Sequence, residues 1–254
     1  YTPEGTVSQP TFSGSELTST GTFTSVGANP SIGTVTYQDT NSTAQAIIQN
    51  NQKILQNLST PRFSITASAL YNATISSYSV TILNSTASSS TSTVNYGTIN
   101  SGSNVTAKVT VTDSRGNTKS KNVTVTMLAY ELPSATYTLA RENNYYSETD
   151  LTVNASVMNT GSNTPTITAK YREKGTSTWY NWANQSTLTN YTQYVQSLDN
   201  LKEWNVQIKV TDSFGGTKTY NKTVGIGLPI LFIDRVMRAL GVNAFPSEAG
   251  QVNI

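Results

Sequence analysis

The acidic residues of this chain that could do chemistry recur in one turn, VTDSRGNTK at 111–119 and VTDSFGGTK at 210–218. Asp113 or Asp212 could ligate calcium, but calcium takes six to eight oxygens, and no other acid lies within fifteen residues of Asp113. An Asp followed by Ser and Gly has a simpler use. Its carboxylate accepts hydrogen bonds from its own turn, and the glycine supplies a positive φ. Asp113, Gly116, Asp212 and Gly215 are therefore expected to be structural turn residues, with neither metal nor cofactor. Glu142, Glu148 and Asp150 form a second acidic group, around Tyr145 and Tyr146. A glycosidase needs one protonated and one ionised carboxyl across a cleft, whereas three acids on one polar loop are expected to be solvated. Histidine and cysteine are both absent, which excludes Ser-His-Asp and Cys-His nucleophiles, His-ligated zinc and disulfides. The chain is expected not to be an enzyme.

The densest aromatic cluster comprises Trp179, Tyr180, Trp182, Tyr191 and Tyr194. Side chains alternate across a strand, so these rings cannot all face one core. The outward ones either cover a joint between modules or form a stacking platform for sugar rings, with Asn181, Asn184, Gln185 and Asn190 beside them. On the second reading the glycan-binding candidates are Trp179, Tyr180, Trp182 and Tyr191.

The elements that must position these residues are strands. Charged residues make up 12% of the 254, while Thr (42), Ser (31) and Asn (25) give a neutral, β-leaning surface. The net charge of +2 is scattered along the chain, so no basic stripe offers a nucleic-acid site. No stretch approaches the roughly 20 apolar residues that cross a bilayer, and we expect a soluble chain that is a piece of something longer. Ten Asn-x-Ser/Thr sequons follow from the Asn and Ser/Thr content and are read as compositional.

The repeat extends beyond the turn. Val105, Ala107, Val109 and Val111 alternate with polar residues, as Trp204, Val206, Ile208 and Val210 do 99 residues later. Six or seven short strands per unit, separated by turn signals, predict an all-β chain of two tandem immunoglobulin-like β-sandwiches. The expected boundaries are an extended arm at 1–29, sandwich 1 at 30–128, sandwich 2 at 129–226 and a short β-rich, apolar connector at 227–254. One segment, AQAIIQNNQKILQNL at 44–58, reads either as a short helical coil or as two strands around an Asn-Asn turn. The strand reading is favoured because its flanks are β-rich.

Four pieces in order carry a resemblance: YTPEGTVSQPTFSG, TYQDTNSTAQAIIQNNQKILQNLST with NATISSYSVTI, the paired VTDSxG hairpins, and LPILFIDRVMRALGVNAFPSEAGQVNI. Together the chain resembles tail fibres and minor structural, receptor-binding proteins of siphophages that infect Gram-positive bacteria. The second unit also resembles a fibronectin type III module, with Trp204 where that family usually has Tyr. The resemblance implies a non-enzymatic virion component of the phage tail, acting at the host surface, that spaces and displays attachment elements. Its implied partners are other tail proteins, further copies of itself in a trimer, and host cell-wall polysaccharide. Leu231, Phe232, Val236, Leu240 and Phe245 are expected to be buried against the second module or other copies. A bacterial surface adhesin's stalk is the alternative, and an accessory module of a carbohydrate-active enzyme a third.

Overall fold

The computed structural model describes residues 28–227, 231–234, 238–242 and 252–253. The expected arm therefore lies outside the described residues up to position 27, as do Val236 and Phe245 and the side chain of Phe232. The chain divides into two compact units. Unit 1 takes in 40 and the residues before it, Gln52–Ile54 and Ser59–Met127; unit 2 takes in Asn41–Asn51, Leu55–Leu58 and Leu128 onward.

Unit 1 is built from β1 (Ser31–Asp39), β2 (Lys53–Leu55), β3 (Pro61–Ser68), β4 (Ile75–Ile82), β5 (Ser85–Ser89), β6 (Thr93–Asn95), β7 (Val105–Asp113) and β8 (Thr118–Leu128). They form one sheet in the order β1-β3-β6 and another in the order β2-β8-β7-β4-β5. The alternation in β7 turns Val105, Ala107, Val109 and Val111 inward. There they meet Phe63, Ile65 and Val94 from the first sheet in one core. Tyr96 closes one end, its hydroxyl donating to the carbonyls of Ile82 (3.1 Å) and Ser85 (2.9 Å).

Unit 2 follows with β9 (Ser134–Arg141), β10 (Glu148–Ser156), β11 (Thr166–Glu173), β12 (Tyr180–Asn181), β13 (Gln193–Ser197), β14 (Trp204–Thr211) and β15 (Thr217–Val224). Its sheets run β13-β10-β9 and β12-β11-β14-β15, the three-plus-four arrangement of an immunoglobulin or fibronectin III fold. Leu151 and Val153 from one sheet and Ile167, Val206, Ile208 and Val210 from the other share a core. Trp204, in the usual tyrosine position, still makes a corner bond, since its indole Nε1–H donates to the Asp199 carbonyl at 2.9 Å. Beyond it, β16 (Leu231–Asp234), β17 (Ala239–Val242) and β18 (Val252–Asn253) form a small sheet in that order.

The segment 44–58 departs from the favoured strand reading. It forms α1 (Ser42–Ile48), followed by a turn and then β2. The deciding residue precedes the window: Asn41 caps the helix, its Oδ1 accepting from the Ala44 N–H at 2.9 Å. Gln49 ends it in the left-handed region at φ 54°. Within unit 2, Ile47 and Leu55 pack with Phe214, and Ile48, Leu58, Leu128, Tyr130 and Met158 surround them. Gly161 permits this approach. Its φ is +52°, a Cβ there would run into the Ile47 carbonyl, and the next N–H, of Ser162, donates to that carbonyl at 3.0 Å.

The two repeated turns share geometry and differ in what they hold. Gly116 and Gly215 adopt φ of 88° and 92°, and their N–H groups donate to the carbonyls of Asp113 and Asp212 at 3.0 and 3.1 Å. Asp113 is buried and accepts from the backbone N–H groups of Arg115 and Asn117, both at 2.9 Å, and from the side chains of both residues at 3.2 Å. Burial pushes its carboxyl up, but these hydrogen bonds more than offset that and hold it below the ordinary value. In the second turn Phe214 and Gly216 replace Arg115 and Asn117. Asp212 then accepts from Gly216 N–H and from the Tyr130 hydroxyl, both at 2.8 Å, while Phe214 enters the apolar cluster edge-on to Tyr130. Burial first, and then the Asp212 carboxylate, push the Tyr130 hydroxyl pKa up. Gly116→Val and Gly215→Val are each expected to destabilise by about 1 kcal/mol or more, because a β-branched residue is strained at positive φ. Calorimetry should show both variants melting earlier, and unchanged melting would remove the turn role.

Candidate functional site: an amide-lined groove beside Trp179

The outward face of the four-stranded sheet in unit 2 carries the site. Residues paired across antiparallel strands share a face, so two rows follow from the register. Arg172 stands opposite Asn205 and Asn205 opposite Thr223; Lys170 stands opposite Gln207 and Gln207 opposite Asn221. The intervening Val206 and Ile208 are in the core, which forces Asn205 and Gln207 outward. Gln207 Nε2 donates to Asn221 Oδ1 at 3.2 Å and Thr223 Oγ1 to Asn205 Oδ1 at 3.2 Å. Each amide keeps donor and acceptor capacity beyond these bonds.

Trp179 walls the groove. After β11 the chain turns at Gly175, φ 92°, with Lys174 N–H donating to the Glu203 carbonyl at 2.9 Å and Thr176 N–H to the Glu173 carbonyl at 3.1 Å. It returns with the half-buried Trp179 ring against Arg172, the guanidinium carbon 4.6 Å from the ring centroid. Between the ring and the sheet lies a groove of about 420 Å³, lined by Arg172, Trp179, Asn205, Gln207, Asn221 and Thr223 among others. An apolar ring face beside convergent amides and hydroxyls can stack a sugar ring and orient its hydroxyls.

The other three aromatic candidates lie elsewhere. Trp182 is fully buried, with its Nε1–H donating to the Tyr194 carbonyl at 3.2 Å and its ring edge-on to Tyr171. It presents no face to a ligand, which corrects its place among the expected glycan contacts. The cause is local: β12 has only two residues, and Ala183 at φ 49° bends the following turn, so Trp182 swings inward. Tyr180 and Tyr191 are exposed, at 54% and 72%, but neither lines the groove. Asn205, Gln207 and Asn221 were not singled out from the sequence, although their alternation with Val206 and Ile208 marks two of them as outward.

The second acidic group is split between two elements of this unit. Glu142 sits in a short 3-10 turn, while Glu148 and Asp150 lie on β10. Among the described residues no group of three or more Asp, Glu, His or Cys could hold a metal ion. On β16, Leu231 is 59% exposed and Ile233, two positions on and on the same side, 67%. The expected burial of Leu231 against the chain's own second module is thus corrected. Leu240 on β17 is half-buried.

No curated protein matches the sequence. Among solved structures, chitinase ChiA74 from Bacillus thuringiensis is similar over 79% of this chain, at 19% identity and a TM-score of 0.29, and this chain spans 27% of the chitinase. Fibronectin(III)-like modules of Clostridium thermocellum CbhA are similar over 68% of this chain and 88% of theirs, at 11% identity and a TM-score of 0.26. The three N-terminal domains of the bacteriophage RB49 highly immunogenic outer capsid protein (Hoc) are similar over 75% of this chain and 67% of theirs, at 10% identity and a TM-score of 0.34. A family model described as a siphovirus protein of unknown function (DUF859) matches residues 4–244, and the chain belongs to that siphovirus family.

Proposed function

We propose that the chain is a non-enzymatic structural component of the phage tail, acting at the host surface, whose second unit holds host cell-wall glycan in the Trp179 groove. The observation that carries this reading is the half-buried indole set against a row of outward amides, on a sheet face whose other outward positions are mostly threonines, lysines and Arg172. A ring that stays partly exposed beside unsaturated hydrogen-bonding groups suits a saccharide, which is apolar on its faces and polar at its rim. Membership of a siphovirus family supports a virion role over that of a bacterial adhesin stalk.

Single grooves of this size would bind weakly, and useful attachment would come from several copies on one surface, where linkage raises effective concentration. The exposed Leu231 and Ile233 side of β16 supports assembly through that small sheet, with other copies or other tail proteins covering it. The test is Trp179→Ala in an oligomeric form of the protein, with binding measured to wall polysaccharide from the phage's host. The expected result is loss of at least about tenfold in apparent affinity, as removing about 1.4 kcal/mol per groove would give, with the melting temperature nearly unchanged. A variant that still binds fully would move attachment to another surface.

A further inference from the structure

The outward face around the groove has a one-sided charge. Its register positions on β11 and β14 include Lys170, Arg172 and Lys209, and no Asp or Glu stands on that face of β11, β12, β14 or β15. Glu173 and Glu203, at the end of the sheet, are engaged in ion pairs with Lys202 and Lys174. Among the described residues, none of the three outward cations takes part in an ion pair. Arg172 lines the groove, and its buried Nε makes no hydrogen bond within the chain. A whole chain with a net charge of only +2 thus concentrates uncompensated positive charge on the face where a sugar ring would stack.

Resting on the glycan reading above, we infer that the ligand of this face is an anionic saccharide, with oxyanions, phosphodiester or carboxylate, meeting Arg172, Lys170 and Lys209 while a ring stacks on Trp179. Positions two apart on a strand are about 7 Å apart and neighbouring strands about 4.8 Å, so the three cations occupy a patch the size of one or two sugar residues. A guanidinium braced by an indole loses little freedom on meeting an oxyanion, and its planar fork suits both oxyanion types. Asn205, Gln207 and Asn221 then orient the hydroxyls between the charges. A neutral glycan would leave these cations to be desolvated without a partner, which discriminates against it.

The experiment is a printed array of bacterial surface polysaccharides, neutral and acidic, probed with an oligomeric form of the whole chain. Binding is expected on acidic members and to fall at least tenfold when salt is raised from about 0.1 M to about 1 M, which shortens the Debye length from about 10 Å to about 3 Å. Lys170→Gln with Lys209→Gln, both exposed positions, should leave unfolding unchanged and abolish the preference for acidic members. Acidic phosphate-bearing and uronate-bearing members on the same array separate the two oxyanion sources. Salt-independent binding to neutral members, lost in Trp179→Ala, would overturn the anionic ligand and keep the glycan reading. No binding to any member would overturn both.

Discussion

Replacing Arg141 by Met is expected to cost unit 2 about 3–5 kcal/mol of stability, the range for removing one partner from a buried charged network. Arg141 ends β9 at 7% exposure and donates to five backbone carbonyls: Gly225 (3.0 Å), Tyr146 (3.1 Å), Leu198 (2.8 Å), Asp199 (3.1 Å) and Lys202 (3.3 Å). Those carbonyls belong to two loops, β9–β10 and β13–β14, and to the segment that follows β15, all outside the strand ladders. Burial lowers the guanidinium pKa and nearby Asp199 raises it; the group nevertheless stays charged in any ordinary buffer. Arg141→Lys should recover little, because an ammonium has three donors and no planar fork. All three tryptophans, Trp179, Trp182 and Trp204, lie in unit 2, so indole fluorescence in urea follows this unit alone. A midpoint for Arg141→Met equal to that of the parent chain would show that water serves the carbonyls as well.

Trp182→Ala should produce a loss of similar size, about 3–5 kcal/mol, from the cavity left by a fully buried ring and from the orphaned Tyr194 carbonyl. Its contrast with Trp179→Ala separates the two tryptophans. One substitution should unfold the unit early, and the other should leave it folded and unable to hold glycan. Trp182→Phe is expected to be milder, since it keeps most of the packing against Tyr171 and forfeits the indole hydrogen bond. If Trp182→Ala melts with the parent, the ring cannot be part of the core.

These contrasts also mark what the amino-acid letters reveal. The core strands were legible because their signal is local: Val105 to Val111 and Trp204 to Val210 alternate with period two, and that period turns the same residues inward in the structure. The groove was legible in part. Trp179 stood out by type, but its partners Asn205, Gln207 and Asn221 come from strands separated from it in sequence and paired only in the fold. Trp182 was misread because a run of alternating side chains holds only while the strand lasts, and a non-glycine residue at positive φ, Ala183, ends it. The Arg141 network has no signal in sequence at all, since every residue has a carbonyl and only geometry selects five of them.

The inclusion of α1 and Leu55–Leu58 in unit 2 bears on how the chain folds as it is made. Ile47 and Leu55 are synthesised long before the Phe214 they pack with; 159 residues separate Leu55 from Phe214 (214 − 55). At about 5–20 residues per second that interval is about 8–30 s, during which two apolar side chains of the nascent chain wait without their partner. Unit 2 therefore completes this cluster only by gathering a segment set down earlier in the chain. A gene cut at Leu128 would encode every strand from β9 to β15 and still yield a product in which Phe214 keeps Tyr130 and Met158 but loses Ile47 and Leu55, leaving that cluster half-covered.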